Sequence, residues 1–324
     1  MEADIQYADH SDGHLDAIAL PDGTILDIED DDDADEDVTN RGRGWFRKHG
    51  YNSGDTQIAL TGRVEGSKFK LTKLPQGKAL AKGKDKRRLE EDRRRLMRGD
   101  KKVVAIRVVA PDASTTSSLS EMSDEIFGTG ADAINLSSQY TACSHGKLNF
   151  LPFEGTANSG ATVTGGVYEV SISQTITGVA DGTVRNAVES ATNTALGSRS
   201  GKFDYVMQCL PPGTSGGWIA YAYINWYLSV YNDKWCNYPS AQLHEIGHNI
   251  GLAHAGEGTA QYADQSGMMG YSVSLFHLSP SQYDFLCGPT YLDYSPPLQL
   301  PFSFRSFSCT VLSRRGTRHV LQRG

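Results

Sequence analysis

The segment His244-Glu245-Ile246-Gly247-His248-Asn249-Ile250-Gly251-Leu252-Ala253-His254 carries the residue types needed for metal-assisted hydrolysis. On a helix, positions i and i+4 lie on one face, so His244 and His248 project their imidazoles the same way. Imidazole nitrogen is a good zinc ligand. Glu245 neighbours the first histidine and can reach a water in an open coordination position without ligating the metal itself. Gly251 lets the chain leave the helix sharply, because glycine tolerates the left-handed conformation of a C-terminal cap. The turn then brings His254 back as a third ligand. Three protein ligands leave one position for water, which separates a catalytic zinc site from a structural one. Zinc lowers the pKa of such a water to about 7. Glu245 would take its proton as general base and pass it to the leaving amine. A bare HExxH arises by chance in long chains. The added Gly251 and His254 lift this segment above that background. So do Leu243, Ile246, Ile250 and Leu252, which give the helix an apolar face to bury.

The pattern resembles the metzincin clan of zinc endopeptidases, which place a methionine turn beneath the metal. Gly267-Met268-Met269-Gly270-Tyr271 follows the third histidine, and Met269 lies fifteen residues beyond His254. That spacing is similar to the reprolysin branch and favours Met269 over Met268 as the turn methionine. Within the clan the chain resembles the gametolysin family, the cell-wall-degrading metalloproteases of green algae and their relatives. Three stretches carry the likeness: Ser137 to Leu148 (SSQYTACSHGKL), His244 to Leu252 (HEIGHNIGL) and Tyr262 to Ser272 (YADQSGMMGYS). It covers roughly residues 103 to 272.

The resemblance implies a zinc metalloendopeptidase with an α/β, metzincin-like catalytic domain, a mixed twisted sheet plus an active-site helix. The metal ligands would be His244, His248 and His254, the catalytic residue Glu245 and the cofactor Zn2+. It also implies secretion, and protein or glycoprotein substrates of extracellular matrix or cell wall. Two departures stand out. Gly267 sits where the family usually has cysteine, and the text after Ser272 does not resemble the family's Cys-Phe-Asn-rich continuation, which completes the lower subdomain. The second reading is therefore a catalytically impaired zinc-binding relative with an incomplete C-terminal subdomain. A structural zinc module would need a fourth ligand from His277 or Asp264. Tyr271 is a candidate hydrogen-bond donor to a developing oxyanion, against the plainer role of a packed turn residue.

The elements that must position these residues belong to a chain of 324 residues, 39% hydrophobic and 21% charged. That is ordinary globular composition, enough for one large domain or two modest ones. A net charge of −7 argues against a general nucleic-acid surface. No apolar run approaches the roughly 20 residues of a bilayer span. The most apolar stretch, Trp218 to Val230, is broken by Asn225 and reads as strands. A monomer is expected. The polar, acidic start lacks a basic n-region and an apolar h-region, so no signal peptide is legible. The five cysteines include no CxxC pair, against a cysteine-built zinc site. They read as buried free thiols or, in a secreted protein, as two disulfides and one odd thiol.

Four zones are expected. Residues 1–81 form a small β-rich, pro-region-like segment, with strand patterns at Ile25 to Ile28, Thr56 to Thr61 and Phe69 to Leu71, and a solvated acidic loop from Glu29 to Asp37. Residues 82–101 form a charged linker. Arg87-Arg88 or Arg93-Arg94-Arg95 would serve as processing sites, making the pro-region separable. Residues 102–272 form the zinc protease domain. Its strands are expected at Val103 to Ala110, Lys147 to Pro152, Val167 to Ile172, Phe203 to Leu210 and Trp218 to Tyr223. Its helices are expected at Leu119 to Phe127, Thr183 to Leu196, and from an N-cap at Ser240. Residues 273–324 form an irregular tail. Residues 1–142 contain no cysteine, so a thiol capping the zinc is ruled out as a latency device there. Asn135-Leu136-Ser137 is a candidate glycosylation acceptor.

Overall fold

The computed structural model describes residues 2–10, 13–20, 24–41, 45–51, 56–75, 80–81, 95–197, 202–255, 268–270, 311–312 and 318–319. Its centre is β8 (Gly99–Val109), whose Val103-Val104-Ala105-Ile106 run is wholly buried. A strand apolar on both faces belongs inside a parallel sheet, and β8 has parallel partners on both sides. One side takes β9 (Leu148–Pro152) and then β12 (Val167–Ser171). The other takes β13 (Tyr205–Leu210), which pairs with β15 (Leu228–Asn232). The antiparallel strand β14 (Ala220–Tyr223) is hydrogen-bonded to β15. Asn225, at φ +56°, lies in the turn that breaks the apolar Trp218 to Val230 stretch into this hairpin.

Helices follow their local signals. Ser118 caps α3 (Leu119–Phe127) in a capping box with Glu121. Asn135 caps α4 (Leu136–Cys143). Its Oδ1 accepts from Ser138 N at 2.9 Å and its Nδ2 donates to Asp132 O at 2.8 Å. Asn135 is buried and its amide committed, so the folded chain does not offer it as a glycosylation acceptor. Helix α5 (Asp181–Leu196) crosses between β12 and β13. Helix α6, which carries His244 and His248, is Pro239–Asn249, capped by Tyr238 with Pro239 in its first turn. Ser240 is therefore inside the helix and not its cap. Proline's fixed φ and missing N–H suit the first helical position and start the helix two residues earlier than a cap at Ser240 would. Strand alternation separates the helices. Gln208 of β13 reaches Glu189 of α5, whereas its neighbour Cys209 is disulfide-bonded to Cys236, just before α6.

The N-terminal residues form β1 (Glu2–His10), β2 (Gly13–Ala19), β3 (Ile25–Asp30), β4 (Thr56–Ala59), β5 (Thr61–Glu65) and β6 (Lys68–Lys73). They bury a second core that includes Ile18, Leu26, Phe46, Phe69 and Leu71. The β-rich character matches expectation. A unit standing apart from the sheet built on β8 does not, because β1 pairs antiparallel with β14 and carries that sheet onward through β2, β3, β6 and β5. Nor is Glu29 to Asp37 only a solvated loop. Glu29 and Asp30 end β3, Glu36 and Asp37 begin the short helix α1 (Glu36–Thr39), and Asp31 is buried with its carboxylate 3.1 Å from Arg63 Nε. A strand end and a helix N-terminus both give carboxylates backbone or cationic partners that composition does not reveal. Strand β8 starts at Gly99, inside the segment read as linker. Residues 82–94 with the dibasic pair, and the tail save the paired Val311–Leu312 and Arg318–His319, lie outside the described residues. Among the described residues, no helix is long and apolar enough to cross a membrane.

Candidate metal centre

Helix α6 is held from three directions before it presents any chemistry. Tyr140 of α4 donates its hydroxyl to Leu243 O at 2.8 Å, and Gln242 Nε2 donates to Cys236 O at 2.8 Å. Asn249 is fully buried, and its Nδ2 donates to Tyr223 O at 3.0 Å and Leu228 O at 2.9 Å, tying the helix to both arms of the β14–β15 hairpin. A buried amide with two carbonyl partners fixes position more tightly than apolar packing alone.

The helix then stops as its sequence requires. Gly251 has φ +92°. Leu252 N donates to Gly247 O at 2.9 Å and Gly251 N to His248 O at 2.9 Å, the paired bonds of a Schellman motif. Asn225 N also donates to His248 O, at 3.1 Å. A side chain at 251 would be strained by that φ, and its Cβ would fall 2.2 Å from Asn225 Oδ1. The turn returns Leu252 O to His248 Nδ1 at 2.9 Å, and carries the chain on to His254.

The three histidines meet. His248 Nε2 lies 3.2 Å from His244 Nε2 and 3.1 Å from His254 Nε2. His244 Nδ1 is 2.8 Å from Met268 O. A carbonyl only accepts, so Nδ1 of both His244 and His248 carries the hydrogen, and in the neutral rings each Nε2 presents a lone pair. Lone pairs 3.2 Å apart repel unless a cation stands between them. A shared proton relieves one such pair, whereas a metal cation relieves all three. The backbone carbonyls behind the rings supply the outer-shell orientation that metal-bound histidines require. The donor set therefore fits zinc, and among the described residues it is the group of side chains able to hold a metal.

Glu245 is on the same helix and buried, 5% exposed. Tyr231 of β15 lies close by, its phenol pushed well up by burial first and then by the negative charge of Glu245. Met269 is fully buried beneath the helix, and Ala255 N donates to its carbonyl at 2.8 Å. Both methionines are therefore used, Met268 through its carbonyl and Met269 through its side chain and backbone. Gly247 explains the close fit, since a Cβ there would stand 2.4 Å from Met269 Sδ. Gly247→Ala is expected to destabilise the fold by about 1–3 kcal/mol, the cost of overpacking a filled core. Chemical denaturation checks this, and an unchanged midpoint would mean that Met269 moves aside freely.

Sequence reasoning missed three buried polar anchors. Glu189 of α5 accepts from Tyr227 Oη at 2.7 Å and Gln208 Nε2 at 2.9 Å. Arg185, fully buried on the same helix, is 3.2 Å from Asp27. Asn249 is the third. Each sits inside an apolar period, and only its polarity at a core position could have drawn notice. Gly267, Tyr271, Asp264 and His277 lie outside the described residues. Of the cysteines, Cys209 pairs with Cys236, and Cys143 is also disulfide-bonded.

The family profile described as gametolysin peptidase M11 matches residues 108–277, more than half of the chain. The Autolysin of Chlamydomonas reinhardtii is 38% identical over 68 residues. That match covers 19% of this chain and 10% of the relative, so the chain spans only a small part of the curated protein it resembles. No solved structure matches.

Proposed function

This chain belongs to the gametolysin M11 peptidase family, and from that premise we propose that it is a zinc-dependent endopeptidase. The observation that carries the reading is the convergence of three Nε2 atoms, 3.1 and 3.2 Å apart, beside a buried glutamate on one helix. His244, His248 and His254 would hold the ion. A bound zinc ion supplies Lewis acidity, which makes water a better nucleophile and stabilises negative charge on a carbonyl oxygen.

The chain's own residues do the rest. Met268 O and Leu252 O hold the His244 and His248 rings with Nε2 toward the site. Glu245 Oε accepts the proton of the attacking water and returns it to the leaving nitrogen. Its burial withholds bulk water, which strengthens the interaction of its charge with that proton. Secretion, and action on extracellular matrix or cell-wall glycoproteins, follow from the family. The Cys209–Cys236 disulfide supports an oxidising destination.

The test is cleavage of casein or gelatin with and without a zinc chelator. Cleavage should be lost on chelation and return with added zinc, and the chelated protein should melt lower, because a ligand bound only by the folded state stabilises it. Cleavage indifferent to chelation would remove zinc from the reaction.

A further inference from the structure

Without its N-terminal residues, the catalytic sheet would end at β14. One edge of that strand pairs with β15, and β1 pairs with the other at Ala222 and Tyr223, the end nearest the histidine helix. The pairing is specific: Ala8 stands opposite Tyr223, Asp9 opposite Ala222, and Ile224 N donates to Tyr7 O at 2.8 Å. This edge adjoins the metal centre. Asn225 N, one residue beyond the last β1 contact, binds His248 O, and the Tyr223 carbonyl receives Asn249 of the active-site helix. An uncovered strand edge is a template for an extended peptide, which gains main-chain hydrogen bonds by adding as the next strand.

A second set of contacts holds the cover in place. Arg185 Nη1 is 3.2 Å from Asp27 Oδ1 of β3 and 2.5 Å from the Tyr223 hydroxyl, while Nη2 donates to Ile25 O at 3.1 Å. Asn186 Nδ2 reaches the same Ile25 carbonyl at 2.8 Å, and Ser67 Oγ meets Thr183 Oγ1 at 3.2 Å. The arginine thus ties the N-terminal unit to β14 at the residue where β1 pairs.

We propose that the unit built by β1 to β6 is an intramolecular inhibitor acting by strand occupancy: β1 fills the β14 edge that an extended substrate needs, and Asp27 on Arg185 latches it there. The inference rests on the peptidase reading above. It supplies a latency device for a segment without cysteine. It also means that a cut in the charged segment 82–101 would not by itself open the site, because strand pairing and the latch persist after the chain is nicked.

The test uses the whole chain with two opposed changes. Asp27→Asn weakens the latch at constant shape. Asp9→Cys with Ala222→Cys, a directly opposed antiparallel pair, locks β1 onto β14 when oxidised. Amide exchange at Ile224 reports whether β1 has lifted, casein cleavage reports activity, and metal analysis reports zinc. Asp27→Asn should speed Ile224 exchange and raise cleavage about tenfold or more, because the competent fraction sets the apparent affinity. The oxidised lock should lower cleavage at least as far below wild type with zinc unchanged. Faster exchange without a gain in cleavage would overturn the proposal, as would a lock that leaves cleavage intact. If Asp27→Asn does not fold, or leaves exchange unchanged, the lock decides alone. If Ile224 exchanges fast and no Glu245-dependent cleavage exists in any form, the peptidase reading itself fails and the inhibitory role falls with it.

Discussion

Glu245→Gln is expected to keep its zinc and to lose cleavage by about 10²- to 10⁴-fold, the usual worth of a positioned general base. The amide matches the carboxylate in size, so helix α6 and the three imidazoles should stay where they are. What disappears is the capacity to accept a proton. Glu245 is buried beside Tyr231, whose hydroxyl is itself held protonated by burial and by the glutamate's charge, so no neighbouring group on β15 stands ready to substitute. The measurements are zinc content and casein turnover on the same preparation. Turnover equal to wild type would remove Glu245 from its role, and loss of zinc would show that it serves the metal and not the proton.

The largest effect on stability should come from Arg185→Met, at about 3 kcal/mol, the low end of the range found when one partner of a buried ion pair is removed, because Arg185 is fully buried while Asp27 keeps some contact with water. Methionine fills the volume but leaves the Asp27 carboxylate, the Ile25 carbonyl and the Tyr223 hydroxyl without the guanidinium that joins them. Burial already pushes the Asp27 carboxyl above the usual carboxylate range, and Arg185 is the main influence pulling it back. In the variant that opposition is gone, so the folded pKa rises further above the unfolded one. A folded state that binds a proton more tightly loses stability as pH rises through that interval. The deficit should therefore shrink in acid and be largest at neutral pH. Adding Asp27→Leu should recover much of the loss, because two apolar groups of similar volume cost far less than one stranded charge. Denaturant midpoints of both single variants and the double variant check this. A single variant within about 0.5 kcal/mol of wild type, the scale of ordinary surface changes, would mean that water reaching the partly exposed Asp27 takes over the role of the guanidinium.

The motif was legible from residue spacing. Helical i, i+4 geometry and the conformational freedom of Gly251 are local properties, and the structure brings the three imidazoles together where that arithmetic puts them. The same holds for β8, α3 and the hairpin broken at Asn225, whose apolar runs, cap residues and turn signals lie within a few residues of one another. The sequence by itself therefore determined which three histidines meet, the helix that carries His244 and His248, and the alternation of strands and helices around them.

The tertiary structure decided what depends on partners distant in the chain. Asn249 bridging Tyr223 and Leu228, Gly247 receiving Met269, and Arg185 meeting Asp27 across 158 residues have no local signature, because burial turns a polar residue into an anchor only once its partner arrives. The start of helix α6 at Pro239 and the burial of Asp31 were settled the same way, by what packs around them. Most consequentially, the sheet's continuation from β14 into β1 rests on backbone hydrogen bonds. Those carry no residue identity, so nothing in the acidic, polar N-terminal text announces which strand edge it will cover.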